Sequence, residues 1–405
     1  MVTDDPTVQA EPGGDVSTAP RGGPPRAARL LTVLAILLLL FGIPWWALIG
    51  SAQWPTAVTV IGSTVVVAAL VALPVAMTFG HGPRHSDRAA VIGDVLLGTV
   101  WVLFVWTLIG LVLRLVLFLV GVEDLVRSRA TALVTAGVVA ALLVWGYVEA
   151  MRVPRVKRLD VVLPRLGRGL DGLRVVAVTD THFGPLDRRA WSRKLTDAVN
   201  ELDADIVCHV GDIADGTPTQ RVEMAAPLAD MRARLARVYV TGNHEYFSEA
   251  QAWLERMDEL GWDVLHNRHI VVERAGDRLV VAGVDDATAR GSGVVGHGAD
   301  LGRALAGVDD DLPVFLLAHQ PKQIGRAVEA GVDLQISGHT HGGQIWPFNF
   351  LVRLDQPVVH GLSRHGERTQ LYTSRGSGFW GPPFRVFAPS EITVLTLRSP
   401  EPSVP

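Results

Sequence analysis

Five short clusters in the second half of the chain carry residues that together could ligate two metal ions: Asp180-Thr181-His182, Gly211-Asp212-Ile213-Ala214-Asp215, Gly242-Asn243-His244-Glu245, His319, and Gly338-His339-Thr340-His341-Gly342-Gly343-Gln344. The donors are carboxylate, amide oxygen and imidazole, a set that suits two divalent ions such as Mn, Fe or Zn rather than a thiolate site. A single carboxylate can span two cations about 3.5–4 Å apart, the separation at which both act on one phosphoryl group. A hydroxide held between two such ions forms near neutral pH, so a nucleophile is available without a protein base. The chemistry implied is metal-assisted hydrolysis.

Any one cluster alone reads as a turn. Each, however, follows a short apolar run rich in β-branched residues, at 173–178, 205–210, 237–241, 314–318 and 332–337, and such runs read as buried strands. In a sheet whose strands alternate with helices, ligands gather beyond the carboxyl ends of the strands. Five strand ends are therefore expected to converge on one site.

In this order the clusters resemble the calcineurin-like metallophosphoesterase superfamily, over residues 173–397. The resemblance implies an α/β (αββα) fold, a two-sheet sandwich flanked by helices. It implies that Asp180, His182, Asp212 and His341 hold one ion, that Asp212, Asn243, His319 and His339 hold the other, and that Asp212 bridges them. It gives His244 the role of acting on the substrate, by protonating the leaving oxygen or donating to the phosphoryl oxygens, with Asp215 orienting it. The Gly-His-Thr-His-Gly-Gly-Gln context and the run Pro389-Ser390-Glu391-Ile392 resemble a bacterial membrane-associated branch that includes phosphodiesterases of lipid-linked substrates. His209, His266 and His269 read as core or surface residues, and His297, His360 and His365 as loop residues near the cleft.

The amino-terminal part has a different character. Hydrophobic residues make up 48% of the 405, and the excess lies in four stretches, 30–49, 57–79, 91–120 and 130–148. Each meets the ~18–20 residues a helix needs to cross a bilayer. Residues 1–29 are rich in Pro, Gly, Thr and Ala and read as a disordered tail, not as a cleavable signal peptide, since three further apolar stretches follow the first. Region 30–150 reads as a four-helix anchor, 151–169 as a short basic linker that keeps the enzyme near the lipid, and 170–398 as the catalytic domain. Trp45, Trp46, Trp54, Trp101, Trp106 and Trp145 are candidates for the bilayer interfaces. Arg114, inside the third stretch, calls for a partner, with Asp94 and Glu123 as candidates.

Orientation follows from the basic residues. Arg21, Arg26, Arg29, Arg84, Arg88, Arg152, Arg155, Lys157 and Arg158 fall on one side of the four spans, against Arg127 and Arg129 on the other. The positive-inside rule then places both termini and the catalytic domain in the cytoplasm, in a multi-pass protein of the cell membrane. Residues 159–405 carry 25 Lys+Arg against 32 Asp+Glu, a net of −7 with no basic run, which argues against a nucleic-acid partner. The single Cys208 reads as a core residue.

Loop aromatics Trp346, Phe348, Phe350, Phe379, Trp380 and Phe384 are placed either to meet an acyl chain or to pack over the sandwich. The reading is a membrane-anchored, dinuclear-metal-dependent phosphoesterase that cleaves phosphodiester or pyrophosphate bonds, lipid-linked ones among them. A phosphomonoesterase of soluble substrates and a non-catalytic metal-binding membrane sensor are the alternatives. A silent sensor has no chemical need for His244.

Overall fold

The structure, a computed structural model, describes residues 26–400. Four helices come first: α1 (Arg26–Trp45), continued by a π-helical turn at Trp46–Gly50, α2 (Thr56–His81), α3 (Asp87–Leu119) and α4 (Asp124–Met151). All four are long and apolar enough to cross a membrane. Their outward faces are apolar too: Leu30, Leu31, Val60, Ile61, Val65 and Leu133 are largely exposed, as side chains facing lipid rather than water must be. Of the tail expected at 1–29, residues 1–25 lie outside the described residues. Residues 26–29 are not disordered; they form the first turn of α1.

Twelve strands follow. They are β1 (Arg155–Val162), β2 (Leu173–Val178), β3 (Ile206–Val210), β4 (Ala236–Val240), β5 (Asp263–Val264), β6 (Arg268–Arg274), β7 (Asp277–Gly283), β8 (Val314–Leu317), β9 (Leu334–Ser337), β10 (Gly361–His365), β11 (Thr369–Thr373) and β12 (Glu391–Arg398). They form two six-stranded sheets, ordered β1-β12-β2-β3-β4-β5 and β10-β11-β9-β8-β7-β6. Between the sheets lies one core that includes Val175, Cys208, Val238, Val281, Phe315, Leu317 and Ile336. Helices at Arg189–Asn200, Pro218–Ala225 and Ala250–Glu259 cover the outer face of the first sheet through Leu195, Met224 and Trp253, and that at Ile324–Glu329 covers the second through Ile324 and Ala327. Burial on both faces explains why the central strands read as continuous apolar runs rather than as alternating ones. The parallel pairing of β2, β3 and β4, and of β7, β8 and β9, sets their carboxyl ends side by side.

The expected linker at 151–169 is not a linker. Residues 155–162 are β1, paired in parallel with β12 from Arg155↔Glu391 to Val162↔Arg398, and Leu163, Leu166 and Leu170 are buried in the core between the sheets. The basic residues that gave the segment its linker character stand on an edge strand, where charge discourages pairing with another chain. Only Arg152, Val153 and Pro154 separate α4 from the sandwich.

The helices are also more than an anchor. Trp101 packs edge-on against Phe348 (ring centroids 5.9 Å), Trp106 against Trp346 (6.3 Å) and Trp145 against Phe387 (5.4 Å). These three tryptophans therefore join the helices to loops of the sandwich. At Gly98 of α3, a Cβ would come within 2.6 Å of the Phe384 ring, so only glycine permits this approach. Arg221 grips Asp87, at the start of α3, with both guanidinium nitrogens (2.7 and 2.9 Å). Arg114 finds neither expected partner: it donates to Ser51 Oγ at 2.7 Å, lies 3.5 Å from Asp124 and sits over the Trp46 ring. Asp94 is taken by His81, and Glu123 accepts from Leu125 and Val126 to cap α4.

Candidate metal centre

The seven expected ligands come together at the carboxyl ends of β2, β3, β4, β8 and β9. Asp180, His182 and His341 present ligand atoms to a common point, and Asp212, His319 and His339 to a second. Asp212 belongs to both neighbourhoods, with Oδ2 3.1 Å from His319 Nε2 and 3.5 Å from His182 Nε2. Asp180, His182, Asp212, His339, His341 and Gln344 all have φ between +41° and +67°. Left-handed backbone at a non-glycine residue costs ~1–3 kcal/mol, and such strain persists only where the surroundings over-determine it, typically at functional sites. Close approach adds a further demand. A side chain at Gly242 would collide with Asp212, and one at Gly338 with Thr179 and Asp180.

The hydrogen bonds indicate which ring nitrogens carry lone pairs. His182 Nδ1 is 2.9 Å from Asp215 Oδ1, and His319 Nδ1 is 2.7 Å from the Val210 carbonyl; each Nδ1 must donate. His319 Nε2 faces the Asp212 carboxylate at 3.1 Å, and His182 Nε2 is left to accept from His341 Nε2, 3.0 Å away, whose Nδ1 lies against the Arg385 guanidinium. Imidazole nitrogens and carboxylates grouped this closely are a donor set for divalent cations. Asn243 Oδ1 is buried without a hydrogen-bond partner among the described residues, the condition of an acceptor that a cation would satisfy. The donor set fits two divalent ions.

His244 and Asp215 lie beside this centre. Asp215 Oδ1 is 2.7 Å from His244 Nδ1 while also holding His182. Burial opposes charge on His244, but the Asp212 and Asp215 carboxylates outweigh it and push its pKa up to about 9. Burial likewise opposes ionisation of Asp215, yet His182 and His244 hold its carboxyl well below the usual range.

A cavity of about 560 Å³ opens onto the centre. It is lined by His182, Asp212, Asn243, His244, His339 and His341, by Leu97, Gly98 and Trp101 of α3, and by Phe247, Phe348, Leu351 and Trp380. The loop histidines 297, 360 and 365 do not line it: His297 bonds Tyr246 and Gln251, His360 lies beside Arg375, and His365 is in β10. Of the aromatics, Phe379 and Phe384 are buried in packing, while Phe348 and Trp380 line the cavity. His209 is the core residue expected, bonded to Thr181.

Three contributors have no role in the sequence reading. Glu245 is fully buried and accepts from the backbone N–H groups of Asp212 (3.0 Å), Ile213 (2.8 Å) and Gly242 (2.6 Å), fixing two ligand loops to each other. Arg385, also buried, donates to the His341 carbonyl and lies 3.0 Å from its Nδ1. Its only signal is one cation inside the apolar run Pro382-Pro383-Phe384-Arg385-Val386-Phe387. The α3 wall has no local signal at all.

Residues 173–343 match the family model for calcineurin-like phosphoesterases. The chain is 35% identical over 301 residues to a metallophosphoesterase of Campylobacter jejuni, a match covering 73% of this chain and 78% of that protein. It therefore belongs to the calcineurin-like metallophosphoesterases. Proteins of Danio rerio and Bos taurus, each named a transmembrane protein with metallophosphoesterase domain, are 37% and 36% identical over 278 and 290 residues. Those matches cover 67% and 69% of this chain and span 63% and 65% of the relatives' length.

Proposed function

We propose that this protein is a two-metal phosphoesterase of the cell membrane that cleaves phosphodiester or pyrophosphate bonds in lipid-linked substrates on the cytoplasmic side. The observation that carries the reading is the cavity, which is lined both by the candidate metal ligands and by apolar side chains of the long apolar helix α3. A phosphate ester at the ligands can extend an acyl or prenyl chain along Leu97, Trp101, Phe348 and Trp380 without exposing it to water.

Asp180, His182, Asp212 and His341 would hold one ion and Asp212, Asn243, His319 and His339 the other. Two ions so held supply positive charge to the phosphoryl oxygens and acidify water. The remaining chemistry belongs to the chain. His244 Nδ1 is tied to Asp215, so the proton it can give to a leaving oxygen is the one on Nε2, and its raised pKa keeps that proton in place at neutral pH. Asp215 fixes the ring and stabilises its charge, and Glu245 keeps the Asp212 and Asn243 loops in register. The apolar wall excludes water from the leaving group's side.

The test compares kcat/KM for a lipid-linked phosphodiester and for its deacylated analogue, using detergent-solubilised protein loaded with Mn. Burying two such side chains against an acyl chain contributes ~3–6 kcal/mol, so wild type is expected to prefer the lipid by orders of magnitude. A Phe348→Ala, Trp380→Ala variant is expected to lose most of that preference while keeping activity on the analogue. Equal constants for the two substrates in wild type would favour a tethered phosphatase of soluble substrates.

A further inference from the structure

Exposed apolar side chains do not end with the membrane helices. Phe350, Leu351 and Leu354 are exposed, Leu354 at 83%, in the turn that follows the last ligand cluster, and the exposed Phe247, at 71%, and Trp380 line the cavity together with Phe348 and Leu351. Contiguous exposed apolar surface marks an interaction site. What covers this one follows from its height along the helices. The α2–α3 hairpin packs Gly93 against Met77 and Gly80 against Ala90, so positions beyond Gly93 on α3 lie level with α2 residues before Met77. At that level α2 leaves the apolar Val71 and Val75 exposed. Trp101 and Trp106 lie farther along α3, about 12 and 20 Å beyond Gly93 at ~1.5 Å per residue. They are the residues that touch Phe348 and Trp346 and, through the Trp101 indole N–H, the Ile345 carbonyl.

The same turn carries its own polar boundary. Arg353 is exposed, and Asp355 pairs with Lys322 at 3.2 Å. Apolar and charged residues in one short segment beside membrane helices are the pattern of an element lying at the boundary between headgroups and acyl chains, with its apolar side buried ~5–10 Å.

We propose that the 348–354 turn of the catalytic domain is inserted into the leaflet entered by the α2–α3 hairpin, with Phe247 and Trp380 completing an apolar rim. The cavity then opens sideways to lipid, and a substrate reaches the metal ligands without leaving the leaflet. The insertion rests on packing against α3. It is read by a measurement separate from the specificity constants that test the lipid-substrate reading, so the two can fail independently.

The test uses the full chain in lipid nanodiscs, where both faces are open to solutes. Cys208 is buried with its thiol pKa pushed up by that burial, so a cysteine introduced at the surface is the reactive one. Leu354→Cys and Phe350→Cys, each labelled with an environment-sensitive fluorophore, are compared with Val295→Cys, whose position is 96% exposed on a loop that does not line the cavity. The rim probes are expected to emit at shorter wavelength and to lose several-fold more intensity to lipids bearing a nitroxide near the headgroup than to iodide. The Val295→Cys probe is expected to respond to iodide alone. Iodide quenching at either rim position equal to that at Val295→Cys, with no response to the nitroxide lipid, overturns the insertion.

Discussion

Asp215 Oδ1 lies 2.7 Å from His244 Nδ1, and the same oxygen holds His182 Nδ1 at 2.9 Å. One carboxylate therefore orients both a candidate metal ligand and the candidate proton donor. Replacing Asp215 by Asn is expected to weaken metal binding by ~10- to 100-fold, the usual cost of losing the partner that orients a ligating imidazole, and to lower turnover as well. His244→Ala is expected to retain its metals and lose ~10²- to 10⁴-fold in rate on substrates with poor leaving groups. Metal analysis of the two purified variants, with rates at saturating Mn, separates the roles. A metal-free His244→Ala protein contradicts them.

Asp212→Asn is expected to impair both ion sites together. Its carboxylate is within 3.5 Å of His182 on one side and 3.1 Å of His319 on the other, and an amide offers one neutral oxygen where two ions need a shared anion. The readout is stoichiometry by elemental analysis. Retention of one full equivalent of metal would show that the bridge is not required.

Activity is expected to fall on the alkaline side as His244 loses its proton. A donor works below its pKa and is lost above it, and the pKa is raised to about 9 by carboxylates that overcome burial. Bound ions draw on the same Asp212 charge, so the alkaline limb of the loaded enzyme should sit below that value. Asp215→Asn removes a raising influence and is expected to shift the limb to lower pH. A limb in the same place in wild type and in Asp215→Asn would remove His244 from the proton transfer.

Gly98→Val is expected to part the catalytic loops from α3, because the new side chain meets Phe384 and Pro382, the latter within 2.8 Å of its Cβ. Overpacking of this kind costs ~1–3 kcal/mol. The same change at Gly137 of α4, where a Cβ has open space, is the control. Thermal unfolding in detergent should give a lower midpoint for Gly98→Val than for Gly137→Val. Equal midpoints would mean that the contact yields without cost.

A carboxyl-terminal reporter pair, one member active only in the cytoplasm and the other only outside it, is expected to give the cytoplasmic signal. The bias of nine basic residues against two normally sets orientation across an even number of spans. Signal from the external reporter alone would move the metal centre, and any substrate, to the other face.

What the sequence determined by itself was local. The runs ending at Val178, Val210 and Ser337 are strands because their apolar residues can be buried on both faces, and the residues after them are polar donors at strand ends, where such donors meet. The four spans are equally local, since length and hydropathy alone make a helix fit a bilayer. What depended on contacts distant in sequence was not legible. Residues 155–162 looked like a charged linker because the partner that makes them a strand is β12, far along the chain. Asp94 and Glu123 are the partners the sequence offers Arg114, whereas Ser51 and Asp124 hold it. Trp101 reads from sequence as a bilayer-interface candidate and Gly98 carries no signal, and only the tertiary structure makes them part of the cavity lining, with Trp101 meeting the backbone 244 residues later. Periodicity and motif record what a residue does for its own element. Which element then closes over the metal centre is decided by packing, and packing leaves little trace in the order of residues.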